Sequence, residues 1–229
     1  MVRQVVARGS STEIAIDGAG VARLGGEQPR MYVYEENKTW NNVEITFYAK
    51  RTSERSTNYR QGFIAGARSE HQAVTDETPC LGYAYYGRML YNGRVNVIKE
   101  LSHPPAPVEQ AYSSNKPSAN YRVEWGTPNG EIPFDRWIGH KFIVRNCDYN
   151  TKVRLSLYRD MTEGENGGDW EQLLHEADNE DWPVSDLDPN CDCLPTQVLT
   201  WPASSVFIRN TEIDAADYTK FSIREIDPE

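Results

Sequence analysis

The sequence predicts an all-β protein, an antiparallel β-sandwich with little helix. Three observations carry that expectation. No stretch sustains the spacing of an amphipathic helix. Short runs instead alternate in polarity: in 43–50, Val43, Ile45 and Phe47 share one face, and Glu44, Thr46, Tyr48 and Lys50 share the other. Turn signals rich in Gly, Asn and Asp recur about every ten residues, the rhythm of a sandwich or jelly roll. At 229 residues the chain suits one such domain over 1–229, long enough to bury a real core.

In chain order, STEIAIDGAGVARL reads as a hairpin around Asp17-Gly18, and strands follow at 30–34 and 43–50, separated by the polar turn EENKTWNN. RTSERSTNYRQ forms a charged loop, and the small-residue strand from Gly62 to Arg68 leads to Glu70 and His71. A Pro-, Ser- and Asn-rich excursion runs from His103 to about Pro133, and loops of that length usually carry function. Trp137 to Arg145 is a strand with Lys141 and Arg145 on its polar side; CDYNTK turns it into Val153 to Tyr158. GENGGDW is another turn before Trp170 to Ala177, and 206–209 and 221–226 complete the sheets.

The stretch YAYYGRMLYNGRVNVIKEL, Tyr83 to Leu101, carries the strongest local signal. Asn92-Gly93 between alternating runs predicts a two-residue type I′ hairpin, because both residues tolerate positive φ. That turn pairs Tyr91 with Arg94, Met89 with Asn96, Gly87 with Ile98 and Tyr85 with Glu100. Tyr85, Tyr91, Arg94, Asn96 and Glu100 then share a polar face, while Leu90, Val95 and Val97 lie on the core.

A net charge of −10 argues against a nucleic-acid partner. No apolar run approaches the roughly 18–20 residues of a membrane span. MVRQVVARGS is too short and polar for an export leader, so any such signal was removed or never existed. Thirteen Tyr and six Trp against six Phe favour aromatics with polar tips, common on sugar-binding surfaces. Cys80, Cys147, Cys191 and Cys193 are expected to form two disulfides, Cys191 and Cys193 each reaching one distant partner; this points to a secreted or cell-surface protein. A zinc site would want longer spacers, and the sequon Asn37-Lys-Thr decides nothing by itself.

The order of long loop, RWIGHKFIV, polar turn, KVRLSLYRD, Gly-rich turn and Trp170 resembles the concanavalin A-like (laminin-G-like) jelly rolls, over roughly 40–226. The resemblance implies a carbohydrate-active protein, since that fold hosts lectins, binding modules, glycosidases and polysaccharide lyases. It also implies a saccharide on a concave sheet and a structural calcium at the loops, which Asp178, Glu180, Asp181, Asp186, Asp188 and Asp192 could ligate. Jelly-roll lyases of the alginate type combine Arg, an amide, His and Tyr. The cation and amide neutralise a uronate carboxylate, and the other two move the proton of β-elimination. Here those types are Arg94, Asn96, His71, and Tyr85 or Tyr91, with Glu44, Tyr48, Lys50, Glu100, Lys141 and Arg145 as substrate-binding residues.

The reading is therefore a polysaccharide lyase acting on an acidic glycan without a catalytic cofactor. The alternative is a non-catalytic carbohydrate-binding module or lectin-like domain, which would stack sugar rings and need no base. A surface-layer module would leave the polar face unused. Glu225-Ile-Asp227-Pro-Glu229 mimics a glycosidase string, but Pro228 is foreign to a central strand. No phosphate loop or dinucleotide fingerprint is present.

Overall fold

A computed structural model describes residues 4–8, 13–26, 29–54, 62–103, 113–185, 187–210 and 213–229. Fourteen strands are present among them: β1 (Gln4–Arg8), β2 (Glu13–Ile16), β3 (Ala22–Gly26), β4 (Arg30–Tyr34), β5 (Val43–Glu54), β6 (Gly62–Ser69) and β7 (Ala84–Leu90). The second half adds β8 (Arg94–Glu100), β9 (Ser113–Arg122), β10 (Ile138–Cys147), β11 (Lys152–Asp160), β12 (Trp170–Asp178), β13 (Ser205–Arg209) and β14 (Ile213–Glu225). They form two antiparallel seven-stranded sheets, sheet A in the order β1-β4-β13-β6-β7-β8-β9 and sheet B in the order β12-β11-β10-β5-β14-β3-β2. This is the predicted sandwich.

The predicted hairpin around Asp17 is observed, with Ile16 opposite Ala22 and the Asp17 carboxylate accepting from Ala19 N at 2.7 Å and Val21 N at 3.0 Å. The 103–133 excursion differs from expectation, because Ser113–Arg122 within it pairs with β8. Pro117 and the Ser/Asn composition disguise this strand, and it is tolerated because β9 is an edge. The charged loop begins later than expected: β5 continues to Glu54, and 55–61 lie outside the described residues.

The core lies between the sheets. From sheet B come Ile45, Phe47, Phe142, Val144, Leu155 and Leu157; from sheet A come Phe63, Tyr85, Met89, Val95 and Val97. Gly87 leaves the space that the Phe142 ring fills, since a Cβ there would come within 2.4 Å of it. Beside this contact His140 points inward, stacked on Phe47 at 4.6 Å with Nε2 3.2 Å from the Gly87 carbonyl. Two cross-edge bonds tie the sheets on one side, Lys116 to Asp181 at 2.8 Å and Ser118 to Glu176 at 2.9 Å.

Only half of the expected disulfide framework forms. Cys80 and Cys191 are bridged, whereas Cys147 and Cys193 are free. Cys147 ends β10 with a buried thiol, while Cys193 follows Cys191 in its loop, so the two remaining sulfurs belong to different parts of the sandwich. Titration of the denatured, unreduced protein is expected to find two free thiols, rising to four after reduction. Finding none, or four before reduction, would contradict this pairing.

Burial pushes the His140 imidazole down to about 3. Unfolded, it protonates near about 6.5, so below that pH the unfolded state binds the extra proton and stability falls as pH falls. The unfolding free energy should drop by up to about 3 kcal/mol from this group between pH 6.5 and 4. His140→Leu should flatten the slope measured by denaturant titration; parallel slopes for both proteins would reject the assignment.

Candidate functional site

The hairpin at 84–100 closes through a different turn from the predicted one. Gly93 N donates to the Leu90 carbonyl at 2.9 Å, Gly93 alone of the central residues has positive φ (85°), and Met89 pairs with Val95. The loop thus has an extra residue, in the manner of a type I turn followed by a left-handed glycine. Pairing then runs Arg88 with Asn96, Tyr86 with Ile98 and Ala84 with Glu100. On β8 the expected faces hold. On β7 they are exchanged, because a one-residue slip turns every side chain over.

The outer face of sheet A consequently gathers Tyr86, Arg88, Asn96, Ile98 and Glu100. Its floor is a second apolar cluster of Tyr32, Ile64, Ala84, Tyr86 and Phe207, with half-buried Tyr34 and Ile98 packed against it. Gly66 shapes this floor. Its missing side chain lets Phe207 lie across β6 and meet Tyr86 edge-on at 5.3 Å.

Above the floor three polar groups converge. His71 Nε2 lies 3.1 Å from Glu100 Oε2 and 3.1 Å from Tyr86 Oη, and Tyr86 Oη also donates to Glu100 Oε2. His71 and Tyr86 are 4 % exposed and Glu100 3 %, so these contacts operate in a dry environment. Burial, then the adjacent Glu100, holds the Tyr86 phenol far above its ordinary range. Burial alone would raise Glu100, but His71, the Tyr86 hydrogen bond and His103 keep it below the usual carboxylate range. The proton therefore rests on Tyr86.

Cations flank the cluster. Arg30 donates to Tyr32 Oη at 3.3 Å and pairs in register with Arg209; both guanidinium groups act electrostatically on Tyr86. Burial opposes the Arg30 charge, but Tyr32, Tyr86 and Glu100 outweigh it and hold the group above its ordinary range. Arg30 Nε and Glu100 Oε1 are both buried without a hydrogen-bond partner among the described residues. Two residues from Tyr86, Arg88 spans Asn96 (Nε to Oδ1, 2.6 Å) and Asn115 (Nη2 to Oδ1, 2.7 Å).

Of the residues expected to be catalytic, His71 and Asn96 lie on this face, with Glu100 from the substrate-binding set. Tyr85 and Tyr91 do not. Tyr85 points into the core, donating to Asp178 Oδ2 at 2.5 Å and accepting from Leu199 N at 3.1 Å. Tyr91 is buried with its hydroxyl on Asn210 Oδ1 at 2.8 Å. Arg94 is exposed at the hairpin end, opposite Arg122. The register slip explains the two tyrosines and brings Tyr86 and Arg88 to the face where Tyr85 was expected; Arg94 keeps its expected face but stands at the turn end of β8. No sequence signal separated Tyr85 from Tyr86, because both faces of β7 carry polar residues and core-facing Lys99 is fully buried.

The remaining expected binding residues occupy the outer face of sheet B. Glu44 accepts from Arg224 at 3.0 Å, Lys50 approaches Asp217 at 3.7 Å and Arg145 meets Glu229 at 3.0 Å. Tyr48 and Lys141 line a cleft there with Trp170. Glu225 and Glu229 of the glycosidase-like string bind Lys38 and Arg145. In the acidic segment, Asp178 pairs with Lys99 at 2.9 Å and Asp181 with Lys116 at 2.8 Å; Asp186 lies outside the described residues. Among the described residues no three His, Cys, Asp or Glu side chains gather as a metal site, and no helix is long and apolar enough to cross a membrane.

No protein-family model matches the chain, and no curated protein matches it. Solved structures do. The chain is similar to the binding domain of botulinum neurotoxin serotype D, with a TM-score of 0.46 and 13 % identity over 98 % of this chain and 44 % of that one. It thus spans less than half of the toxin chain. It is also similar to the marine PL-14 alginate lyase from Aplysia kurodai (TM-score 0.46, 9 % identity, 94 % and 87 % covered). The exoplasmic/lumenal domain of VIP36 in its Ca2+/Man3GlcNAc-bound form gives a TM-score of 0.48 at 11 % identity, with 99 % and 85 % covered.

Gly66 provides a test of how the floor is built. An added Cβ would come 2.1 Å from the Phe207 ring, so Gly66→Ala should cost about 1–3 kcal/mol of overpacking. Gly66→Ala combined with Phe207→Leu should recover part of that loss. Unchanged stability of the single variant would show that Phe207 does not depend on the gap.

Proposed function

We propose that the protein is a carbohydrate-active jelly roll that cleaves an acidic, uronate-containing polysaccharide by β-elimination on the outer face of sheet A. The observation carrying this reading is Tyr86 Oη, within hydrogen-bond reach of both His71 Nε2 and Glu100 Oε2 and flanked by Arg30. Arg30 is the cation assigned to the substrate carboxylate, because its guanidinium acts on both Tyr86 and Glu100. Neutralising that carboxylate acidifies the C5 hydrogen. Tyr86 takes the C5 proton as its own proton passes to His71 Nε2, which holds it against Glu100. The C5–H electrons become the C4–C5 double bond and the C4–O bond breaks. The leaving oxygen then takes a proton from Tyr86, and His71 returns its proton to the phenol. The chemistry needs only side chains. Arg88 and Asn96 sit about 6.6 Å along the strand, twice the per-residue rise, where a neighbouring sugar would lie.

A second reading, a binding module without turnover, is favoured by one observation: His71, Tyr86 and Glu100 are almost fully buried and bonded to one another. The Cys80–Cys191 disulfide supports a secreted or cell-surface location under either reading.

The experiment is incubation with a panel of polyuronates while following ultraviolet absorbance of the unsaturated product. Tyr86→Phe keeps the ring on Phe207 and should lower turnover on the order of a hundredfold or more, the scale of a lost acid–base group. Absence of product from every polyuronate, or full turnover in Tyr86→Phe, would rule the elimination out.

A further inference from the structure

The outer face of sheet B carries a separate cleft of about 320 Å³, lined by Glu44, Thr46, Tyr48, Lys141, Trp170 and Lys220, with Ser222 and the backbone of Gly164 and Gly167. Its walls are aromatic. The Tyr48 and Trp170 rings stand 5.8 Å apart at 59°. Lys141 Nζ lies 4.1 Å from the Trp170 centroid and Lys220 Nζ 4.9 Å from that of Tyr48.

The cleft is held rigidly from below. Asp160, at the end of β11, accepts five hydrogen bonds: Thr162 N at 2.8 Å, Thr162 Oγ1 at 2.6 Å, Asp169 N at 3.0 Å, Gly164 N at 2.9 Å and Tyr48 Oη at 2.7 Å. It thereby fixes the glycine-rich turn against the ring that forms one wall. Gly164 is left-handed (φ 80°), a conformation that favours glycine, and a Cβ there would lie 3.0 Å from Tyr48 Cζ, against the ring that forms one wall. Lys220 is itself left-handed (φ 51°) at a bulge between Thr219 and Ser222.

Charge marks the cleft out from its surroundings. Lys50, Arg145, Arg154 and Arg224 on the same sheet each meet a carboxylate. Lys141 and Lys220 form no ion pair among the described residues; Lys220 reaches only the Glu163 carbonyl, at 3.4 Å. Thr46 Oγ1 is buried there without a hydrogen-bond partner. With Glu44 shared between Lys141 and Arg224, the two lysines leave local positive charge on a chain of net charge −10. Glu44 is engaged by Arg224 and remains able to accept from a hydroxyl.

We propose that this cleft binds one pyranose residue carrying a carboxylate or sulfate, as a glycan-holding site on the sheet opposite Tyr86. The rings offer apolar faces for the C–H side of a sugar, the ammonium groups meet its anion, and Thr46, Ser222 and Glu44 meet its hydroxyls. The volume suits a monosaccharide unit. The proposal shares the anionic glycan with the reading above but stands without any elimination.

The test titrates the full chain with a tetragalacturonate, a sulfated galactan oligosaccharide and a neutral glucose tetramer, reading tryptophan fluorescence and calorimetry. Acidic oligosaccharides should bind more tightly than the neutral one and weaken with added salt. Lys141→Gln and Lys220→Gln should each lower affinity by about tenfold, the factor carried by about 1.4 kcal/mol. Tyr86→Phe should leave this binding unchanged, so a failed elimination does not touch it. Equal affinity for the neutral tetramer, unchanged binding in both lysine variants, or loss of binding in Tyr86→Phe would overturn the proposal. Trp170→Phe, which keeps an aromatic wall, should abolish most of the fluorescence response while the calorimetric signal persists.

Discussion

Gly93 sets the register on which the chemistry of sheet A depends. Its positive φ makes the hairpin loop one residue longer, and a Cβ there would sit 1.9 Å from the Gly130 carbonyl. That close approach lets the 123–132 segment clamp the turn: Val123 N at 3.1 Å and Trp125 Nε1 at 3.0 Å donate to the Gly93 carbonyl, and Ile132 N donates to that of Tyr91 at 3.0 Å. A slip of one residue on β7 would drive Arg88 into the core and expose Met89. Leaving one charge buried and unpaired costs several kcal/mol, and exposing a buried Met about 1.5–3 more. One register is therefore strongly preferred, and it faces Tyr86 toward His71 and Glu100.

Missing side chains do related work elsewhere. Phe207 crosses Gly66 to reach Tyr86, Phe142 fills the space over Gly87, and Trp170 packs against Gly139, where a Cβ would be 2.9 Å away. Phe207 reaches over the adjacent strand, Phe142 reaches β7 across the core from the other sheet, and Trp170 reaches β10 from two strands away. The first builds the sheet A floor, the second fills the core between the sheets, and the third seats the wall of the sheet B cleft. Interiors packed this closely transmit small displacements, so each glycine affects a site it does not touch.

Much of the fold was legible because burial on one face leaves a period-two record, which β5, β10 and β11 follow, whereas β6 is buried on both faces and was read from its small residues. β9 was hidden because an edge strand need not be apolar, and Ser113–Arg122 reads as loop. The site was half legible. His71, Asn96 and Glu100 are polar residues on or beside a recognised hairpin. Tyr86 and Arg88 were missed because Asn-Gly normally makes a two-residue turn, and the contacts that lengthen this one come from residues some 30 to 40 positions later. The cysteines show the same limit. Pairing depends on where the strands carry the sulfurs, and Cys147 is carried away from the loop that holds Cys191 and Cys193.

The two outer faces make opposite uses of charge. In the sheet A cluster the polar atoms bond chiefly to one another, and burial holds a proton on a phenol beside a carboxylate that would otherwise compete for it. Such a set is poorly arranged to grip a glycan, since few of its donors and acceptors remain available; Arg30 Nε and Glu100 Oε1 are the exceptions. It is better arranged to move a proton over a short path in a dry setting, where a positioned acid and base act most strongly. The sheet B cleft inverts this pattern, with half-buried Lys141 and exposed Lys220 beside aromatic walls and no proton relay among its lining. On the proposed reading, the sheet B cleft adds a holding site to a sheet A face whose own grip rests on Arg30, Arg88 and Asn96. Cations left open to bind a polyanion would be solvated and would lose the low dielectric on which the Tyr86 phenol depends.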